Sequence, residues 1–201
     1  FGHEEFDYLI WVYDDTQFDE PVFSKCTFIR EKGIICYFFK KYLTPEYCAP
    51  YDYIFTWVDD LDINQFDYEK FLQIMERNTL DMAQPALTHY SLRAHILTLR
   101  HSNPVGRFTD LVELMAMVST NAAWNRYWQM LEPEWNFWGW GYNHLLRSVC
   151  DIKRLGIIDS QPITHLKLGS RMTDAPKEKQ KLFEKYKGRE RAKFKTEGEL
   201  V

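Results

Sequence analysis

Three carboxylates, Asp59, Asp60 and Asp62, stand immediately after the apolar and aromatic run 51–58. Carboxylates at this spacing repel one another unless a proton or a cation compensates them. Hard divalent cations such as Mg²⁺ and Mn²⁺ take oxygen ligands, commonly one or two carboxylates completed by substrate phosphates. The competing reading is a solvated acidic turn in which Asp62 or Asn64 caps the next helix. The spacing alone leaves both open. A second candidate is His165. It follows a strand at 157–158 and a turn over 159–162, which would return it to the acidic loop as a neutral imidazole ligand. The other histidines, His3, His89, His95, His101 and His144, read as packed or surface side chains.

Positioning these groups falls to strands alternating with helices. Residues 8–13 are β-rich and end at Asp14, Asp15 and Thr16; residues 51–58, 82–87 and 155–159 read as further strands. Residues 33–42, closed by Pro45, read as a helix. So do 66–77, with Phe71, Leu72, Ile74 and Met75, and 120–131, with Ala123, Tyr127 and Met130 at helical spacing. Residues 111–118 form another apolar run, and 138–149 read as a glycine-broken loop entering a helix. The alternation predicts an α/β sheet covered by helices. In such sheets ligands bind beyond the carboxyl ends of the strands, which is where the three aspartates fall.

Composition narrows the function classes. At 201 residues and 45% hydrophobic the chain can bury a core without disulfides, and no apolar run approaches the ~20 residues of a membrane helix. No secretory leader is visible. The four cysteines (Cys26, Cys36, Cys48, Cys150) lack zinc or C-x-x-C spacing and read mostly as buried thiols. Residues 175–201 carry nine Lys/Arg and five Glu, leaving sixteen basic against twenty-four acidic residues in the body. An acidic body argues against a nucleic-acid backbone binder. The basic stretch, with Leu182, Phe183 and Tyr186, reads as a solvated amphipathic helix. The expected organisation is a domain over 1–174 followed by this tail. The 33 aromatic residues could stack on sugars or bases, although a generous core accounts for most of them.

Several segments together resemble an uncharacterised plant protein family thought to adopt the glycosyltransferase-A fold. They are 51–55 with Trp57 and Asp59-Asp60-Leu61; Gln84-Pro85-Ala86-Leu87; and 112–116 with Ser119, Ala123, Trp124, Trp128 and Met130. Trp140-Gly141 follows, then 156–160 and Thr164-His165. Order and approximate spacing hold from Tyr8 to Gly169. In size and style the chain is also similar to compact glycosyltransferases of large algal viruses.

The resemblance implies an open mixed sheet flanked by helices. It also implies an Asp-x-Asp loop holding Mn²⁺ or Mg²⁺ against the diphosphate of a nucleotide sugar, with a UDP-sugar favoured because it is common in that fold. Asp60 and Asp62, with Asp59 beside them, would take the metal and donor, and His165 would add a metal or phosphate contact. Glu113, Trp138, Trp140 and Asn143 would line the side of a carbohydrate acceptor. The family has an acid where this chain has Asn143, and an amide cannot accept the acceptor's proton at neutral pH. Glu113 or another carboxylate then serves as base, or the enzyme retains configuration, or the chain is inactive. The resemblance also implies a first strand–helix unit; this sequence starts at the second strand, so that unit lies upstream of the given residues or is absent. An inactive carbohydrate-binding module and a metal-dependent hydrolase are the competing functions. The cytoplasm is the expected compartment, or the Golgi lumen if an upstream anchor has been removed.

Overall fold

In the computed structural model, residues 3–92, 94–102, 104–167 and 174–201 are described. Gly169, the far end of the family resemblance, lies outside them. The chain begins with β1 (Tyr8–Val12) and β2 (Cys26–Arg30), which pair in parallel as a separate ribbon. There follow α1 (Ile35–Tyr42), the short α2 (Pro45–Cys48), β3 (Tyr53–Trp57), β4 (Leu61–Asp62), α3 (Tyr68–Arg77), β5 (Met82–Leu87) and β6 (Arg107–Thr109). β7 (Ala116–Thr120), α4 (Asn121–Met130), β8 (Leu155–His165), α5 (Ala175–Lys185) and β9 (Thr196–Glu199) complete the order.

Among the described residues the main sheet runs β3-β7-β5-β8-β6-β9, with β4 added along the end of β8. Its pairings are antiparallel except β5 with β8. This is a mixed α/β fold whose sheet is mostly antiparallel and flanked by helices.

Local chemistry explains the elements. Thr120 caps α4 by accepting from the Ala123 amide (3.3 Å), and the helix buries Ala123, Trp124, Tyr127 and Met130. Trp124 is fully buried with its indole N–H on the Leu43 carbonyl (2.8 Å) and meets Phe39 of α1 edge-on at 5.5 Å. Each such aromatic contributes on the order of 1.5–3 kcal/mol on burial. α3 points Phe71 and Met75, one turn apart, at the sheet and is capped by Asp67 accepting from Lys70 N (3.1 Å). The cap is therefore neither Asp62 nor Asn64. The ribbon joins the core through Trp11, stacked on Phe38 at 5.1 Å. Cys36, Cys48 and Cys150 are buried, and all four cysteines are free.

Three expectations need correction. The turn at 159–162 does not reverse the chain: β8 runs through it to His165. Between Pro85–Ile158 and Leu87–Ile163 the register shifts, so β8 advances five residues while β5 advances two. Pro162, which has no N–H to give a ladder, sits in that bulged stretch. Residues 138–149 hold a single 3₁₀ turn at Tyr142–His144 rather than a longer helix. Gly139 and Gly141 both adopt positive φ there. A side chain at Gly139 would lie 2.7 Å from both Cys36 Sγ and Leu114 Cδ1. The basic stretch after 174 is not a purely solvated helix. α5 buries Ala175 and Leu182, β9 pairs with β6, and Leu200 enters the core. None of the described helices is long and apolar enough to cross a membrane.

Candidate functional site

β3, β5 and β8 run in one direction, so their carboxyl ends share an edge of the sheet. The acidic loop leaves β3 there, and β4 brings it back against the end of β8. Leu61 is paired with His165 in register, and Leu166 N donates to Asp60 O (2.9 Å). This backbone pairing sets Asp60 beside His165, with Asp60 Oδ2 3.4 Å from His165 Nε2. Both side chains are well buried, at 13% and 9% exposure.

The loop after β5 fixes the imidazole. His165 Nδ1 lies 2.5 Å from the Leu92 carbonyl oxygen, His165 N donates to Ser91 Oγ (3.1 Å), and Leu92 N donates to His165 O (2.9 Å). A carbonyl only accepts, so Nδ1 carries the proton and, in the neutral ring, Nε2 presents its lone pair to Asp60. Two acceptors facing each other require a proton or a cation between them.

The three aspartates are not equivalent. Asp59 is 65% exposed and faces Lys167 Nζ at 3.7 Å. Asp62 Oδ1 accepts from Asn64 N (3.0 Å), a local turn, and Asp62 pairs with Thr164 in register. Only Asp60 meets His165 among the described residues. Tyr13, at the end of β1, is half exposed and stands in the field of Asp59, Asp14 and Asp60, which with burial raises its phenol pKa. Neither Tyr13 nor Lys167 belongs to a motif that marks it in the sequence. The signal for Tyr13 is only that β1 also runs into two acids.

Glu113 lies on the irregular stretch before β7. Its N–H donates to Gln84 Oε1 (2.6 Å) on β5. Burial pushes its carboxyl up to about 7, against smaller downward pulls from the Thr98 hydroxyl and from His165. Glu113 Oε2 is buried without a hydrogen-bond partner. Thr98 is held from behind: Arg107 Nη2 donates to the carbonyls of Leu97 (2.6 Å) and Leu99 (2.7 Å), and Arg107 is ion-paired to Asp159.

Trp138, Trp140 and Asn143 sit on the glycine-bent loop. It borders the Glu113 segment through the contact of Gly139 with Leu114. Trp140 is 43% exposed, while Trp138 N donates to Glu178 Oε2 (3.0 Å). No contact of these three side chains with Asp60 or His165 is seen among the described residues.

Among the described residues no three His, Cys, Asp or Glu side chains converge closely enough to hold a metal unaided. Asp60 and His165 do suit a shared ion. Two neighbouring ligands of an octahedral ion with bonds near 2.1 Å stand about 3 Å apart, close to the observed separation. An ion of this kind takes its remaining ligands from substrate phosphates and water.

A family model described as "Protein of unknown function (DUF707)" matches residues 1–200. The chain belongs to the DUF707 family. The match spans the ribbon, the sheet and α5, so every DUF707 residue named above lies within it. A comparison with curated proteins returned no match.

Proposed function

We propose that this chain is a divalent-cation-dependent glycosyltransferase that moves a sugar from a nucleotide sugar, a UDP-sugar favoured, to a hydroxyl of a carbohydrate acceptor. The observation that carries the reading is the approach of Asp60 Oδ2 to His165 Nε2 at the strand ends, with a carboxyl oxygen of Glu113 left without a partner nearby. Asp60 and His165 would hold Mn²⁺ or Mg²⁺, and Asp59 and Asp62 would add negative charge at the rim. The bound ion would offset charge gathering on the departing nucleoside diphosphate. Glu113 supplies the base that Asn143 cannot. A carboxyl near pH 7 is ionised in a large fraction of molecules and still protonates readily. In the transfer, the acceptor's O–H proton passes to the Glu113 carboxylate, the acceptor oxygen bonds to the sugar's anomeric carbon, and the diphosphate leaves with the broken bond's electron pair. Gln84 holds the Glu113 backbone in place, and the Thr98 hydroxyl, which donates to the His95 carbonyl (2.8 Å), draws the Glu113 carboxyl's pKa down. Trp140, exposed beside this segment, offers its face to the acceptor's C–H surface. The four free thiols suit the reducing cytoplasm.

The test is a panel of nucleotide sugars with Mn²⁺ and oligosaccharide acceptors, read by mass spectrometry of the glycosylated product. Glu113→Gln should lower transfer by about 10²–10⁴-fold while donor binding persists. Full-rate transfer by Glu113→Gln removes the assigned base. Cleavage of the donor without transfer points to the hydrolase, and metal-free sugar binding without turnover points to the binding module.

A further inference from the structure

The basic segment that follows β8 carries cations that its own carboxylates do not satisfy. Lys177, Lys185, Lys193 and Lys195 are paired with Asp174, Glu132, Glu190 and Glu197. Lys179, Lys187 and Arg191 differ: among the described residues none has a carboxylate within ion-pair distance. Their side chains also donate no hydrogen bond to a protein acceptor there. These three line one cleft of about 470 Å³ together with Gln180, Phe183 and Glu184. Glu184 is engaged by the Gln180 side-chain amide (3.0 Å).

The cleft is built rather than incidental. Residues 179, 183 and 187 follow one another at helical spacing along the face of α5 and the turn after it. The chain then comes back, tied down by Ala192 N donating to the His144 carbonyl (2.9 Å). This lays the Arg191 guanidinium over the Phe183 ring at 3.9 Å, with Lys179 Nζ 5.5 Å from the same centroid. His144 packs edge-on against Phe183 at 5.3 Å and holds the ring in place. Stacking orients the guanidinium while leaving its N–H fork free, the arrangement that suits bidentate contact with a phosphate. Burial, with the charge of Arg191 added to it, makes Lys179 harder to protonate, so the two cations stand together without a compensating anion. On the other side Gly141 abuts Lys179 and Phe183, which lets the helix approach closely.

We infer that this cleft binds a phosphate group through Arg191, Lys179 and Lys187, borne either by a small soluble molecule or by a lipid headgroup. The inference does not rest on the glycosyl-transfer reading, because the cleft includes none of the residues placed in that chemistry. The test uses the full chain in EDTA at low ionic strength, so that no metal-dependent binding contributes, and titrates pyrophosphate by calorimetry. Lipid vesicles containing phosphatidic acid, against pure phosphatidylcholine, form the second arm. Arg191→Gln should weaken binding by about tenfold or more, the loss expected for charge-assisted hydrogen bonds. Phe183→Leu, which keeps apolar volume but removes the platform, should weaken it less, with the melting temperature used to verify folding. Pyrophosphate binding without vesicle binding assigns a soluble ligand. Vesicle binding that falls in the same variants assigns a headgroup. No binding in either arm, or equal binding by native protein and Arg191→Gln, overturns the inference.

Discussion

Two polar groups on one strand, six residues apart, are put to opposite uses. Asp159 and Arg107 are both almost fully buried, and their charges meet each other. The Asp159 carboxylate also accepts from His101 N (2.6 Å), and the guanidinium braces two carbonyls. Although Arg107 Nε and Asp159 Oδ2 lack partners, each charge has its opposite in contact. At the end of the same strand His165 Nε2 faces Asp60 at 3.4 Å, and the nearby Glu113 keeps a bare carboxyl oxygen. The difference teaches how to separate structural from reactive polarity in this molecule. Arg107 and Asp159 are internally neutralised and hold a loop, whereas Asp60 and His165 meet at 3.4 Å at the rim of the sheet and Glu113 keeps one carboxyl oxygen without a partner.

The strongest way to break the comparison is to unbalance the closed pair. Arg107→Met should cost about 3–5 kcal/mol of stability by urea unfolding, because Asp159 is left as an uncompensated buried charge. Adding Asp159→Leu should recover most of it; no recovery would mean that the pair itself matters less than the loop it braces. The open site should respond in the opposite sense. Glu113 rises from 4.5 to about 7 in the folded chain. Between those values the folded protein holds a proton that the unfolded chain has released, so stability falls as pH rises from 4.5 through 7. Glu113→Gln removes this penalty and should stabilise the fold by up to about 3 kcal/mol at pH 8, with no gain near pH 4. A destabilised variant at pH 8 would show that the carboxyl is satisfied after all. The smallest effect belongs to Asp59, whose exposed contact with Lys167 is a surface pair. Asp59→Asn should change stability by less than about 1 kcal/mol. A larger shift in the melting curve would place Asp59 with the buried residues.

Much of this arrangement was legible in the sequence, for identifiable reasons. β5 was expected over 82–87 and is found there, all six residues buried even though Gln84 and Pro85 interrupt the apolar run. α3 and α4 announced themselves through apolar residues one turn apart. The meeting of Asp60 with His165 followed from placing acids and histidine after strands, although the route differed: β8 carries His165 there directly, without reversing. What stayed hidden lacks a periodic signal. β9 is exposed along its whole length, so no apolar alternation marks it. β6 has three residues and starts with a buried arginine, a type that reads as surface. The two-residue β4, which does most to register the site, is too short to leave any pattern. Glu113 was picked out only through the family resemblance. Its burial and its link to Gln84 depend on an irregular stretch that no propensity encodes.

The central claim is that Asp60 and His165 share a cation that in turn holds a nucleotide diphosphate. Calorimetric titration of UDP into the full chain, with Mn²⁺ and with EDTA, tests it most directly when repeated on Asp60→Ala. The account predicts binding to the native chain that requires Mn²⁺ and is lost in Asp60→Ala, with the variant's melting temperature close to native. UDP binding that ignores Mn²⁺, or that survives undiminished in Asp60→Ala, would contradict it.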